Sequence, residues 1–232
     1  MTDADSKGAL AIGKANAEYR DGDFESAIKT LSSATVAEDD YLELAYLLGL
    51  SHARLEHYDE ALLYLEQVVT SGEADDRASQ CRLALAYIYS VTGRFKLAEY
   101  ELMKLVDSSV DTPQVFAALG HAVWSQGRIV EGIDLYEKAL QKDPENLNAL
   151  NGYGYLLACA EYDLDKALAC CQKAVGGSPE NPAYADSLGW AFFKLGRYEE
   201  ASRHLYAAAK LIGDSEESRD HIAAYEKAVF ER

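Results

Sequence analysis

The sequence is poor in proline and lacks long apolar runs, and both shortages exclude classes of structure. Only 4 of its 232 residues are proline, which favours long helices because proline interrupts a helix interior. No stretch of about 18 apolar residues occurs, so the sequence predicts no membrane-spanning helix and no membrane insertion. The first residues, with Asp3 and Asp5, are acidic where a secretion signal would be basic, so no leader is expected.

Basic residues are outnumbered, and this imbalance argues against two classes of partner. The chain has 22 lysines and arginines against 39 acidic residues, a formal net charge of −17. Nucleic acids and anionic membranes would be repelled by such a protein. Hydrophobic residues make up 49% of the chain, enough for a continuous core. We therefore predict a folded chain that binds no nucleic acid.

Cysteine and histidine are too few and too scattered to indicate a metal site. The 4 cysteines, at positions 81, 159, 170 and 171, form no Cys-x-x-Cys pair, and the 5 histidines show no metal-binding spacing. We predict no metal and no cofactor, with Cys171 as a small core residue. Free thiols favour a reducing compartment and hence a cytoplasmic location, but a periplasmic or envelope location with the leader removed stays open.

No pattern in the chain indicates catalysis. The Gly-Tyr-Gly run at 152–154 has no strand before it and is therefore not a dinucleotide-binding loop. The run at 175–178 lacks the lysine of a phosphate-binding loop, and no Gly-x-Ser-x-Gly nucleophile motif occurs. We predict that the protein is not an enzyme.

The chain does contain a pattern of small residues and turns that recurs about every 34 residues. The clearest copies are Leu119-Gly120 followed by Gly127, Tyr136, Ala139 and Pro144, and Leu188-Gly189 followed by Gly196, Leu205 and Ala208. Copies start near residues 8, 42, 79, 113, 147 and 182, at steps of 34, 37, 34, 34 and 35 residues. This pattern resembles the tetratricopeptide repeat (TPR), and the Asp-Ser-Leu-Gly-Trp run at 186–190 looks typical of bacterial members of that family.

The resemblance implies an all-α fold, in which six helix–turn–helix units stack into an α-solenoid, a right-handed superhelix, with a C-terminal capping helix. Residues 1–232 would form a single domain. The units are expected at 8–41, 42–78, 79–112, 113–146, 147–181 and 182–214, and the capping helix at 215–232. Four apolar residues of the capping helix fall on one helical stripe, which we expect to cover the last unit: Ile222, Tyr225, Val229 and Phe230.

Small residues explain the spacing within a unit. In the fourth unit, Gly120 lets two helices approach closely while Tyr136 fills the adjacent space, and Gly127 falls at the turn between them. Two units depart from this pattern. The first carries Lys14 at an apolar position, so its first helix is either shifted by a residue or exposed at the end of the stack. The third carries Arg82 where a large apolar residue is usual.

A second stripe on the first helix of each unit is the candidate binding surface. In proteins with this resemblance, that stripe lines a concave groove. Here it carries aromatic and amide side chains, which suit recognition of a peptide, although the rings could instead pack between neighbouring helices. The candidate site residues are Tyr46, His121, Trp124, Asn148, Asn151, Tyr155, Trp190 and Lys194. In the N-terminal half, the same stripe also includes Tyr19, Leu50, Arg54, Gln80, Leu83 and Tyr87.

These observations predict a non-enzymatic protein–protein interaction scaffold that binds a peptide or protein segment in the concave groove. Two alternatives stay open at this point. One is a self-assembling structural subunit, which would form a homo-oligomer. The other is a cell-envelope lipoprotein that takes part in pilus or outer-membrane assembly, because many bacterial members of the family resembled here act in the envelope.

Overall fold

The computed structural model describes residues 3–72, 76–213 and 215–231, without the side chains of residues 3–6 and of Ile212. Within these ranges the chain forms thirteen α-helices and no β-strand, which confirms the all-α prediction. The helices are α1 (Asp3–Arg20), α2 (Phe24–Ser32), α3 (Tyr41–Arg54), α4 (Tyr58–Thr70), α5 (Asp76–Val91), α6 (Phe95–Asp107), α7 (Pro113–Trp124), α8 (Ile129–Lys142), α9 (Leu147–Cys159), α10 (Leu164–Gly177), α11 (Pro182–Lys194), α12 (Tyr198–Ile212) and α13 (Glu216–Phe230).

The chain forms two compact units, Met1–Val110 and Asp111–Arg232. The N-terminal unit contains α1 to α6 and a short 3-10 turn at Glu38–Asp40, and the C-terminal unit contains α7 to α13. In each unit consecutive helices pack in pairs, from α1 with α2 to α11 with α12, and α13 follows the last pair. The arrangement of residues 1–232 as one domain stays a prediction.

The helix pairs of the C-terminal unit are joined by short turns that contain left-handed residues. Gly127, at φ 83°, joins α7 to α8, which confirms its predicted role, and Gly196, at φ 72°, joins α11 to α12. Between α9 and α10 the left-handed residues are Glu161 and Asp163. The Asp163 carboxylate also caps α10, because it accepts a hydrogen bond from the Lys166 N–H at 3.2 Å. These turns bring each second helix back onto the first.

Tyr136 of α8 is a buried ring that packs against two glycines. A Cβ atom on Gly120 of α7 would lie 3.0 Å from this ring, which confirms the predicted close approach within the pair. A Cβ atom on Gly152 of α9 would lie 2.2 Å from the same ring. Tyr136 therefore fills the space within its own helix pair and also joins that pair to the next one.

The first helix of the N-terminal unit has an apolar stripe that differs from the expected one. Ile12 and Ala15 of α1 are buried, whereas Lys14 is exposed and pairs with Glu18 at 3.3 Å. The stripe is therefore shifted from the half-buried Ala11 to Ile12. The ammonium group of Lys14 stays hydrated because the side chain is 68% exposed. A lysine is therefore tolerated at a position that is apolar in the other units.

The other irregular position, Arg82 of α5, is explained by a partly buried ion pair. Arg82 contacts the carboxylate of Glu101 on α6, and the two side chains are 22% and 10% exposed. A second polar contact joins α5 to α4 of the preceding pair, where the Tyr89 hydroxyl donates to Glu66 Oε1 at 2.7 Å. The third helix pair is thus joined by charge as well as by apolar packing.

The last helix, α13, packs against α11 and α12 through a face that differs from the predicted stripe. Its buried side chains are Ser218 and His221. Val229 is 44% exposed and Phe230 is 92% exposed, so the predicted covering stripe is wrong at its C-terminal end. The other two residues of that stripe are half-buried. The first half of α13 meets polar side chains of α9 and α11 through His221, and Tyr225 packs against Phe193 of α11 and Tyr206 of α12.

Candidate functional site

The first helices of the C-terminal unit bring three predicted aromatic residues together with α13. The ring centroids of Trp124 and Tyr155 are 5.3 Å apart, and His121 lies 5.6 Å from Trp124. Trp190 joins this group through His221 of α13, whose ring stacks on Trp190 at 4.2 Å and lies 5.7 Å from Tyr155. The surface beneath α13, called the C-terminal face, comprises Trp124, Asn151, Tyr155, Asp186 and Trp190. It is covered in part by the chain's own last helix.

A buried hydrogen-bonded pair fastens α13 to this face. His221 Nδ1 lies 2.6 Å from Asp186 Oδ2, and His221 Nε2 lies 3.2 Å from the Tyr155 hydroxyl. Because an ionised carboxylate only accepts, the Nδ1–H of His221 donates to Asp186. Burial, and then the nearby Cys159 and Glu217, raise the pKa of the Tyr155 phenol. The Tyr155 hydroxyl therefore keeps its proton beside the imidazole.

A recess of about 300 Å³ remains between the C-terminal face and the start of α13. Glu217 and Ser218 of α13 form one side of it, and Tyr136 forms part of the floor. Four buried polar atoms in this region have no hydrogen-bond partner among the described residues: Asn151 Oδ1, Asp186 Oδ1, Trp190 Nε1 and Ser218 Oγ. Each buried polar atom left unpaired costs about 1–3 kcal/mol. The contacts of α13 thus leave polar groups of the C-terminal face unsatisfied.

Three predicted site residues of the C-terminal unit are not among the residues that line this recess: Asn148, Trp190 and Lys194. Asn148 accepts a hydrogen bond from the Tyr184 hydroxyl. Lys194 donates to Glu161 Oε1 at 2.7 Å, and its Nζ lies 5.0 Å from the Trp190 ring centroid. Lys194 therefore borders the C-terminal face, whereas the side-chain oxygen of Asn148 on α9 is bonded to Tyr184 of the next first helix, α11.

The first helices of the N-terminal unit form an open recess of about 460 Å³. Its lining, called the N-terminal face, consists of Tyr19, Leu50, Ala53, Arg54, Glu56, Gln80, Leu83, Ala84 and Tyr87. Leu83 is 39% exposed and Tyr87 is 56% exposed. At the edge, the hydroxyl of the predicted site residue Tyr46 donates to Gln80 Oε1. This face combines exposed apolar side chains with polar groups.

Sequence reasoning did not select the buried pair of His221 and Asp186. Ser218, His221 and Tyr225 are spaced by three and four residues, which places them on one face of a helix. That spacing was a usable signal for the helix face, but the polar character of two of the three residues concealed their burial. His221 and Asp186 are 35 positions apart in the sequence, which puts the contact beyond any local pattern.

The described part of the chain lacks the side-chain groups of a metal site and the apolar helix of a membrane span. Within residues 3–72, 76–213 and 215–231, no three histidine, cysteine, aspartate or glutamate residues are grouped so that they could hold a metal ion. Over the same ranges, every helix is too short or too polar to cross a membrane. Cys171 is fully buried, as predicted, and this burial raises the pKa of its thiol, which makes the thiol unreactive.

Comparison with known families identifies the repeats. The family model for the tetratricopeptide repeat matches residues 12–78, 46–109, 117–185 and 163–218. These overlapping segments include most of α1 to α12. The matched length is far more than half of the chain.

Curated relatives share only part of their length with this chain. It is 34% identical over 77 residues to the TPR repeat-containing protein PA4667 of Pseudomonas aeruginosa, which is 33% of this chain and 13% of that protein. It is 24% identical over 211 residues to the protein O-mannosyl-transferase TMTC1 of Homo sapiens, which is 86% of this chain and 24% of that protein. The chain thus spans a small part of either relative, and the transferase name describes that protein.

Solved structures share the fold over most of the chain. A tetratricopeptide repeat protein from Parabacteroides merdae is 15% identical with a TM-score of 0.75, over 97% of this chain and 88% of that one. MamA from Desulfovibrio magneticus RS-1 is 21% identical with a TM-score of 0.66, over 76% of this chain and 96% of that one. Identities this low show a common fold alone.

Proposed function

Because the chain belongs to the tetratricopeptide repeat family, we propose that it is a scaffold that holds a segment of a partner protein against the N-terminal face. The family indicates protein–protein interaction in general, and its repeat fold is typically non-catalytic. The choice of the N-terminal face, and of an extended segment as its ligand, is the specific part of the proposal.

The open recess of the N-terminal unit carries this proposal. Leu50 of α3 and Leu83 and Tyr87 of α5 line one recess, and the last two side chains are substantially exposed. Arg54 and Gln80 stand beside them with groups that can donate hydrogen bonds to a peptide backbone. Exposed apolar surface with a polar rim marks interaction sites. The C-terminal face has a similar composition, but α13 lies over it.

Replacing Tyr87 with alanine is expected to weaken binding of a partner segment by about 2 kcal/mol, or roughly thirtyfold in Kd, because a central aromatic ring supplies much of an interface's binding energy. The measurement begins with a random peptide library panned on the full chain. Titration calorimetry of the selected peptides then compares the wild type with Tyr87→Ala.

Tyr100→Ala is the matched control, because Tyr100 is 55% exposed, almost as much as Tyr87, but lies on the second helix α6. It is expected to leave the Kd unchanged. Equal Kd values for the wild type and Tyr87→Ala, or equal losses in the two variants, would remove the N-terminal face as the binding surface.

A second candidate function, self-association of the chain, is favoured by the end of α13. Phe230 and Val229 stand exposed next to each other there, and exposed apolar groups of this kind can be buried between copies. The alternative of a lipoprotein in cell-envelope assembly stays a prediction, because the N-terminal face and the C-terminal face do not test it.

For this second candidate, light scattering over a range of protein concentrations is expected to show an apparent mass that rises for the wild type and stays monomeric for Phe230→Ser. Val130→Ser, which changes a 74%-exposed residue of α8, serves as the control and is expected to behave like the wild type. A monomeric wild type at all concentrations would eliminate self-association.

A further inference from the structure

We propose that Asp186, Trp190 and Asn151 form a binding site for an arginine side chain of a partner segment, and that His221 of α13 occupies this site in the free chain. A partner would bind by displacing α13. This inference depends on the proposed scaffold function in one respect, because it requires a protein partner. The site lies in the C-terminal unit, whereas Tyr87 lies in the N-terminal unit.

The first argument is that no apolar side chain of α13 is fully buried, although its half-buried Tyr225 packs against the rings of Phe193, Tyr198 and Tyr206. Its buried side chains are Ser218 and His221, both polar, while Phe230 is almost fully exposed. The preceding helix α12, by contrast, buries Ala201 and Leu205 completely. Burial of apolar surface is the main contribution to helix packing, and polar contacts exchange water partners for protein partners with little net gain. The docking of α13 is therefore weaker than that of the paired helices.

The second argument is that the present occupant leaves acceptors of the site unpaired. Asp186 is 6% exposed, and only its Oδ2 atom is engaged, by His221 Nδ1 at 2.6 Å. Asp186 Oδ1 and Asn151 Oδ1 are buried without a hydrogen-bond partner among the described residues. Both residues line the recess under the start of α13. The site therefore has more acceptors than an imidazole can satisfy.

The third argument is that a guanidinium group can donate hydrogen bonds to the acceptor atoms that the imidazole of His221 leaves unpaired. Its planar fork can donate to both oxygens of Asp186 at once, and its remaining N–H groups are available to Asn151 Oδ1. The His221 ring lies nearly parallel to Trp190, at 4.2 Å and 19°. A guanidinium stacks on an indole in the same way and gains cation–π attraction. The ammonium of lysine lacks both the fork and the flat face.

The charges around the site favour a cation after α13 has left. Asp186 would then be a carboxylate with no partner. The neighbouring cation, Lys194, lies 5.0 Å from the Trp190 ring centroid, but its charge is paired with Glu161 at 2.7 Å. Glu217, which lines the recess, belongs to α13 and would leave with it. The net charge of the uncovered site is therefore negative.

The test is a titration of the full chain with three capped pentapeptides that differ only at the central residue of an alanine background: arginine, lysine or the uncharged isostere citrulline. Tryptophan fluorescence reports binding, since both tryptophans of the chain, Trp124 and Trp190, lie on the C-terminal face. In His221→Ala, α13 no longer fills the site. The arginine peptide is expected to bind this variant at least about tenfold more tightly than it binds the wild type.

The comparisons within this titration decide the chemistry. In the His221→Ala background, the lysine and citrulline peptides are expected to bind at least about tenfold more weakly than the arginine peptide, as is the arginine peptide after Asp186→Asn. His204→Ala, on α12 with its ring stacked on Phe192, is the matched control and should behave like the wild type. Equal binding of the three peptides, or no gain from His221→Ala, would overturn the proposal.

A second variant keeps the proposal testable if His221→Ala does not fold. In His221→Arg, the helix itself supplies the guanidinium, so the arginine peptide should no longer bind. The backbone amides of α13 should then exchange with solvent at least about tenfold more slowly than in the wild type. Faster exchange would contradict the proposal. Tyr87→Ala should leave the affinity for the arginine peptide unchanged. The proposal for the C-terminal face can therefore be disproved while the proposal for the N-terminal face stands, and the reverse.

Discussion

Gly152→Ala is expected to lower the free energy of unfolding by about 3 kcal/mol, near the upper end of the cost of overpacking a core. The added Cβ atom would lie 2.2 Å from the ring of Tyr136, which is 5% exposed and has Gly120 on its other side. The ring cannot yield without disturbing α7 as well as α9. Denaturant unfolding followed by circular dichroism measures the loss.

Gly176→Ala provides the control for this prediction. Gly176 lies in α10, and a Cβ atom there would meet nothing within 4 Å. Because glycine costs a helix about 0.5–1 kcal/mol relative to alanine, this substitution is expected to raise stability by that amount. Similar effects of the two substitutions would show that Tyr136 does not fill the space between the helix pairs.

Arg82→Leu is expected to lower the free energy of unfolding by about 2–3 kcal/mol. The substitution leaves the carboxylate of Glu101, which is 10% exposed, without its cation in a largely apolar setting. Breaking a fully buried pair costs about 3–5 kcal/mol, and the 22% exposure of Arg82 reduces this amount. The measurement is denaturant unfolding of the full chain.

Two further variants separate a buried charge from a general effect of substitution. Arg82→Leu combined with Glu101→Leu should recover most of the loss, because no charge is then left unpaired. Arg77→Leu removes the exposed ion pair with Glu43 in the same unit, whose side chains are 44% and 43% exposed, and should change stability by no more than about 0.5 kcal/mol. A double variant as unstable as Arg82→Leu alone would show that the size of the arginine side chain is what matters.

The helices and their pairing were predictable because they depend on neighbours in sequence. Leu119, Gly120 and Val123 recur at helical spacing, and all three are buried in α7. Gly127 lies at the turn, where a left-handed residue is needed. Ile12 shows the limit of this reasoning, because the side of α1 that is buried depends on which helices surround it.

The candidate site was predictable in its helix faces but not in its contacts. Trp124 and Tyr155 were placed on one face by periodicity, and their rings meet at 5.3 Å. That Trp190 joins them through the imidazole of His221 was not foreseen. An amphipathic last helix can lie in several directions against the preceding pair, and its own pattern does not choose among them.

Helical periodicity and turn residues act over a few positions, so the all-α class, the repeat family and the face of each first helix that carries aromatic and amide groups could be predicted from the amino-acid sequence alone. Tertiary structure alone decided three contacts: Gly152 against Tyr136, Arg82 with Glu101, and the covering of the C-terminal face by α13. Each of these depends on which distant surfaces exclude water from one another. For a polar residue such as His221, that outcome depends on a partner 35 residues away.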